Sequence, residues 1–231
     1  MTARLDELLA RLGVRVAPEP GDGPLAAFVR VPPWLGREVR HPENCEAPLD
    51  LGYAVSLARS KGWRATLLDL ETGLFRRDEV AACLGALKPA LLALSGITPA
   101  TPDLLSLAST VREASPGTTI VACGQQADAV PGSLLFPGSP FDAATAGEFE
   151  ATLADLLESF PSGRDLRLPG LQTLVDGRVV LHGTRPLIED LDALPLPAHE
   201  FFPHRIRPGT RWGFVQSGRG CPFRCLYCSK T

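Results

Sequence analysis

The sequence predicts an α/β fold, a doubly wound parallel sheet of five strands with helices on both faces. Three observations carry this. Short, near-continuous apolar runs recur through residues 25–160. Segments with apolar residues at helical spacing lie between them. Gly or Pro follows most of the runs. Strands apolar on both faces belong to buried sheets, and such sheets are parallel because helical crossovers cover them.

Residues 1–13 read as an amphipathic helix on Leu5, Leu8, Leu9 and Leu12. A Pro/Gly-rich link follows at 17–24. The first strand is LAAFVRV, 25–31, closed by Pro32 and Pro33. A helix over 48–61 follows from the shared face of Leu51, Ala54, Val55 and Ala58. Strand two is ATLLDL, 65–70, and its helix spans 78–87 on Val80, Cys83, Leu84 and Leu87. Strand three is ALLALSG, 90–96, with a helix over 102–114. Strand four is TTIVACG, 118–124, followed by a short helix near 126–135. Strand five, FDAATAG at 141–147, is the weakest, and the last helix covers 148–160. Repeated βα units of this kind make a flavodoxin-like or Rossmann-like domain, whose ligands sit beyond the carboxyl ends of the strands. The segments there are VPPW (31–34), SGITPATPD (95–103), CGQQAD (123–128) and GEFE (147–150), rich in residues that let a backbone approach a ligand.

The texture then changes. Residues 170–183 read as a hairpin turning at Asp176-Gly177, a type I′ signal. Residues 185–203 are Pro-rich and read as an extended linker packed on its neighbours. A strand is expected at 212–217, ahead of a cysteine cluster. The domain boundaries are therefore 1–24 for helix and link, 25–160 for the α/β domain, 161–209 for hairpin and linker, and 210–231 for the start of a further domain.

Composition excludes several classes. The 231 residues carry 26 acids and 23 bases, a net charge of -3, which gives no electrostatic case for nucleic acid or an anionic membrane. No apolar run is long enough to span a bilayer, and the N-terminus mixes acids and bases unlike a secretion signal, so a cytoplasmic location is expected.

Cys45, Cys83 and Cys123 are scattered, whereas Cys221, Cys225 and Cys228 crowd together with spacing C-x3-C-x2-C. Thiolates select zinc, copper(I) or iron–sulfur clusters, and structural zinc wants four closed ligands. Here three cysteines are local and no His lies among them; on a four-iron cluster, three such ligands would leave one iron open. A free-thiol cluster or half of a zinc site is the alternative.

The segment GRGCPFRCLYC, 218–228, resembles the cluster loop of the radical S-adenosylmethionine superfamily. The resemblance makes Cys221, Cys225 and Cys228 the ligands of a 4Fe–4S cluster whose open iron takes S-adenosylmethionine, and sets Tyr227 near the adenine. It extends upstream through PLDLGYAVSLARSKGWRATLLDL (48–70), PALLALS (89–95), ACGQQA (122–127) and DAATAGEFEATLADLL (142–157). These look like the cobalamin-binding domain of the cobalamin-dependent subfamily, and LIEDLDALPLPA (187–198) resembles its linker. The resemblance implies cobalamin contacts at Ser95, Thr98, Gly124, Gln125, Gly147 and Glu148. Gln125 stands where the family usually has a second glycine. The competing role for the glycines is turn formation alone, and for Glu148 a charge at a helix N-terminus. None of the four histidines has Asp two residues before it, so the Asp-x-His-x-x-Gly loop that ligates cobalt in mutases is missing. Cys83 and Cys123 read as buried structural residues, and Asp69 as an ordinary strand-end acid.

The functional expectation is the cobalamin- and cluster-binding front portion of a radical S-adenosylmethionine enzyme, with methyl transfer to carbon as one reaction of the intact protein. Only three residues follow Cys228, so the chain is expected to be a truncated portion, inactive alone and completed by a separate chain or a missing barrel. Two alternatives stand beside this: a stand-alone cobalamin carrier with a separate partner, and a flavodoxin-like regulator with a terminal metal clip. A phospho-receiver would need Asp at the end of strand three, where Ser95-Gly96 stands.

Overall fold

The computed structural model describes residues 22–33, 47–72, 77–201, 214–223, 225, 226 and 228. The expected helix at 1–13, most of the link at 17–24, Cys45 and Tyr227 lie outside them.

Five strands alternate with helices in the expected order. These are β1 (Leu25–Arg30), α1 (Leu49–Ser60), β2 (Arg64–Asp69), α2 (Arg77–Leu87) and β3 (Leu91–Ser95). Then come α3 (Thr101–Ala114), β4 (Thr119–Cys123), α4 (Gln125–Ala129), β5 (Ala143–Thr145) and α5 (Phe149–Ser159). The hairpin follows as β6 (Leu171–Val175) and β7 (Arg178–Leu181). Asp176 and Gly177 both take positive φ, 49° and 75°, as a type I′ turn demands.

The sheet runs β2-β1-β3-β4-β5-β6-β7. Its first five strands pair in parallel, and β5–β6 and β6–β7 pair antiparallel. The hairpin thus extends the expected five-stranded sheet to seven strands instead of standing apart from it. Gln172 helps to seat it, since its side-chain amide donates to the carbonyls of Ala127 and Thr145. A second difference lies at the C-terminal end, where described residues 214–217 form no strand. The apolar and β-branched content there was a local signal, and a strand needs a neighbour to pair with.

Two smaller differences have local causes. The helix after β4 stops at Ala129 because Pro131 lacks the amide that would continue it. β5 is short because Asp142 takes the place of a strand residue. Its backbone N–H donates to the Ile120 carbonyl at 2.8 Å while its carboxylate accepts the Ile120 N–H at 2.7 Å. Arg112 completes that corner, donating to the same carboxylate and to the carbonyl of Pro140.

Side chains alternate across the sheet into two cores. Ala27, Val29, Leu92, Leu94 and Ile120 face α2 and α3 through Leu84, Leu104, Leu107 and Val111. Ala26, Phe28, Leu91, Ala93 and Val121 face α1 and α5 through Leu51, Val55, Leu153 and Leu156. Phe28 is fully buried on β1, an interior strand of the sheet. We expect Phe28→Ala to cost about 3–5 kcal/mol, as large-to-small changes of core aromatics do. Urea denaturation should show this as a lower midpoint at unchanged slope.

The described part of the segment after the hairpin makes specific contacts with the α/β domain. Arg185 donates to Thr152 and to the Pro169 carbonyl and pairs with Asp155. The Ala198 N–H donates to the Gly52 carbonyl at 3.1 Å. Arg59 pairs with Glu200 and lies 5.0 Å from the centre of the Phe201 ring. Among the described residues, no helix is long and apolar enough to cross a membrane.

Candidate functional site

Parallel register brings the carboxyl ends of β1 to β5 to one edge. Arg30 pairs with Asp69 on one side and Ser95 on the other, and Ser95 pairs with Cys123. The strand order reverses between β1 and β3, which opens a crevice at that edge. A cleft of about 460 Å³ lies there, bounded by the loops after β1, β3, β4 and β5. The volume lies within the range of small-molecule sites.

Five of the residues expected to contact a cofactor line this one cleft: Ser95, Gly124, Gln125, Gly147 and Glu148. Thr98 does not; it lies exposed in a 3-10 turn, where its carbonyl accepts the Thr101 hydroxyl at 2.8 Å. From that loop the lining residues are Gly96 and Ile97 instead.

Gly124 shapes the floor. Its backbone sits at φ 78°, ψ -167°, a region reserved in practice for glycine. A Cβ there would lie 2.5 Å from the Ser95 hydroxyl oxygen. The missing side chain is what lets the turn after β4 close onto the end of β3. Cys123 lies beside them, 2% exposed. Burial pushes its thiol well up, the nearby Asp50 charge pushes the same way, and a hydrogen bond with Ser95 only partly opposes them. Cys123 is therefore a neutral thiol. Cys83, in the core, is raised to about 11 by burial.

The turn after β5 is held by its own partners. The Gly147 N–H donates to the Asp128 carboxylate at 2.9 Å. Both Glu148 oxygens are engaged: one accepts the Ile188 N–H of the linker, the other Arg219 Nη1 at 3.1 Å. Glu148 is the residue before α5, yet its side chain makes no capping hydrogen bond.

Two further charged side chains of the cleft carry no motif in the sequence. Glu150, 5% exposed, accepts Arg219 Nη2, and Arg219 lines the cleft with Gln216. A signal for Glu150 existed. It shares the α5 face of Leu153 and Leu157, so its carboxylate had to be buried, and a buried carboxylate demands a partner. Burial works against the Arg219 charge, but the hydrogen bonds and charges of Glu150 and Glu148 outweigh it and hold the guanidinium above its ordinary value.

The three clustered cysteines are exposed, while Cys83 and Cys123 are buried. Within the loop, the Cys228 N–H donates to the Cys225 carbonyl at 3.0 Å. Among the described residues, no three Cys, His, Asp or Glu side chains are arranged to hold a metal ion. Such ligands commonly converge only when the metal gathers them.

No protein-family model matches the chain. It is 27% identical over 187 residues to an uncharacterized methyltransferase of Pyrococcus horikoshii, covering 80% of this chain and 40% of that one. It is 28% identical over 209 residues to an anaerobic magnesium-protoporphyrin IX monomethyl ester cyclase of Synechocystis sp., covering 86% and 41%. The chain thus spans about two fifths of the length of these curated relatives. Among solved structures it resembles OxsB, a cobalamin-dependent S-adenosylmethionine radical enzyme with aqua-cobalamin and S-adenosylmethionine bound. There the TM-score is 0.64 and the identity 16%, over 78% of this chain and 24% of that one. It also resembles TsrM, a radical S-adenosylmethionine methyltransferase from Kitasatospora setae with cobalamin and a [4Fe-4S] cluster bound. There the TM-score is 0.56 and the identity 17%, over 78% and 32%. At these identities the structural likeness establishes a shared α/β fold.

Proposed function

We propose that this chain is a member of the B12-binding/radical S-adenosylmethionine superfamily, that its sheet edge binds cobalamin and that its cysteine loop holds a 4Fe–4S cluster. The observation that carries the reading is a convergence. Ser95, Gly124, Gln125, Gly147 and Glu148 line one cleft with Gln216 and Arg219 of the segment that leads into Cys221.

The residues fit both groups. Gly147 leaves open space where a Cβ would stand, Gly124 lets the turn after β4 close onto Ser95, and the floor offers neutral Ser95 and Cys123 to an amide-rich ligand. The donor set of the loop is three exposed thiols, the chemistry that iron–sulfur clusters select. Bound together, the groups would supply one-electron cleavage of S-adenosylmethionine and, from cobalt, a transferable methyl group. This chain's residues contribute binding and placement: Ser95 and the glycine turns shape the cleft, and the three cysteines hold the cluster. In the whole protein the reaction class this supports is methyl transfer to carbon.

The test is direct. Hydroxocobalamin titrated into the purified chain should bind with one-to-one stoichiometry and a shifted visible spectrum. Free passage of hydroxocobalamin through equilibrium dialysis, with no retention by the folded chain, would overturn the cobalamin reading.

A further inference from the structure

We infer that Arg219 is a positioning residue, a latch that fixes the entry of the cluster loop on the wall of the sheet-edge cleft through Glu148 and Glu150. This rests on the reading that cleft and loop serve one pair of cofactors.

The geometry is that of a built contact. All three guanidinium nitrogens are used: Nε donates to Gln216 Oε1 at 3.1 Å, Nη1 to Glu148 and Nη2 to Glu150. The guanidinium also lies 5.7 Å from the centre of the Tyr53 ring on α1, within cation–π range. Side-chain exposure is 18% for Arg219, 16% for Glu148 and 6% for Glu150. Burying a carboxylate costs several kcal/mol unless a cation meets it. Here the cation comes from a residue 69 positions further on, two before the first cluster cysteine. The planar fork suits two carboxylates in a way an ammonium does not.

The latch sits at a boundary. Upstream, the segment is held where His199 Nε2 meets the Phe214 carbonyl at 2.7 Å. Downstream, Gly220 turns the backbone at φ 86° and the loop leaves the domain. Cys221, Phe223, Cys225, Leu226 and Cys228 are all exposed. Chain geometry gives the consequence. Cys221 lies two residues from the latch, a reach of about 7 Å at ~3.5 Å per residue. With Phe214 as the last fixed point the reach would be about 25 Å. Glu148 also holds the Ile188 N–H, so one carboxylate ties both the linker and the loop entry to the domain.

Double electron–electron resonance on the cofactor-free chain tests this. Nitroxides go on Cys221 and on an exposed Ser109→Cys of α3, with Cys45, Cys225 and Cys228 replaced by Ser. A narrow distance distribution is expected with Arg219 present. Arg219→Ala and Glu150→Gln should each widen it at least twofold, and Arg219→Lys should recover part of the narrowness. A contact that only supports the fold would lower the urea midpoint and leave the width unchanged, which overturns the latch. So does a distribution equally broad with Arg219 and with Ala. If Glu150→Gln fails to fold, Arg219→Ala decides, since Arg219 lies outside both cores. A narrow distribution that widens in Arg219→Ala upholds the latch even if hydroxocobalamin fails to bind, and that failure then counts against the cofactor reading alone.

Discussion

Anaerobic incubation with iron and sulfide is expected to give the native chain broad visible charge-transfer absorbance, and Cys225→Ala to abolish it. The expected loss is complete because a three-thiolate site has no spare ligand. Among the described residues the remaining cysteines, Cys83 and Cys123, are buried. Both thiols are raised by burial, so neither supplies a thiolate near neutral pH. Cys221→Ala and Cys228→Ala should behave like Cys225→Ala, whereas Cys83→Ala and Cys123→Ala should retain the absorbance. Iron and sulfide analysis on the desalted protein measures the outcome. Retention of a full four-iron content by Cys225→Ala would show that the triad is not the ligand set. Exposure of the loop makes the comparison clean, because no buried packing is lost with the thiol.

Much of the fold was legible because burial on both faces writes itself into composition. β1, β3 and β4 are fully or almost fully buried runs, and each was placed to within a residue or two. What was not legible is pairing between distant segments. The hairpin was readable at its Asp176-Gly177 turn, but its docking on β5 depends on contacts far apart in sequence. Local pattern also overstated the segment at 214–217, which has the content of a strand without a partner.

The candidate site shows the same divide. Register alone brings Ser95 and Cys123 side by side, so the cleft followed once the strands were placed. Glu148 was noticed for its Gly-Glu turn. Its engagement with Ile188 and Arg219 was hidden, because both partners lie at least 40 residues away. Glu150 was passed over because charged residues in a first helical turn are usually solvated and dipole-favoured. Only its place on the face of Leu153 and Leu157 marked it as buried.

Gly124→Ala is expected to cost about 1–3 kcal/mol of stability from backbone strain alone and to weaken hydroxocobalamin binding at least tenfold. Two effects combine. The conformation at φ 78°, ψ -167° penalises any Cβ. The new methyl also falls 2.5 Å from the Ser95 hydroxyl oxygen, so either Ser95 or the turn after β4 must move. Both line the cleft, and movement of either changes its floor. Gly62 separates strain from crowding. It has nearly the same φ, 77°, but a Cβ there would meet nothing within 4 Å, and it lies away from the cleft. Gly62→Ala should therefore lose stability, about 1 kcal/mol, and bind hydroxocobalamin like the native chain. Urea midpoints and titrations on the three proteins read both quantities. Equal binding by Gly124→Ala and the native chain would show that the turn after β4 does not shape the cofactor site. A loss in Gly124→Ala beyond that in Gly62→Ala measures what close backbone approach contributes there, the one point where the chain has glycine followed by Gln125 in place of a second glycine.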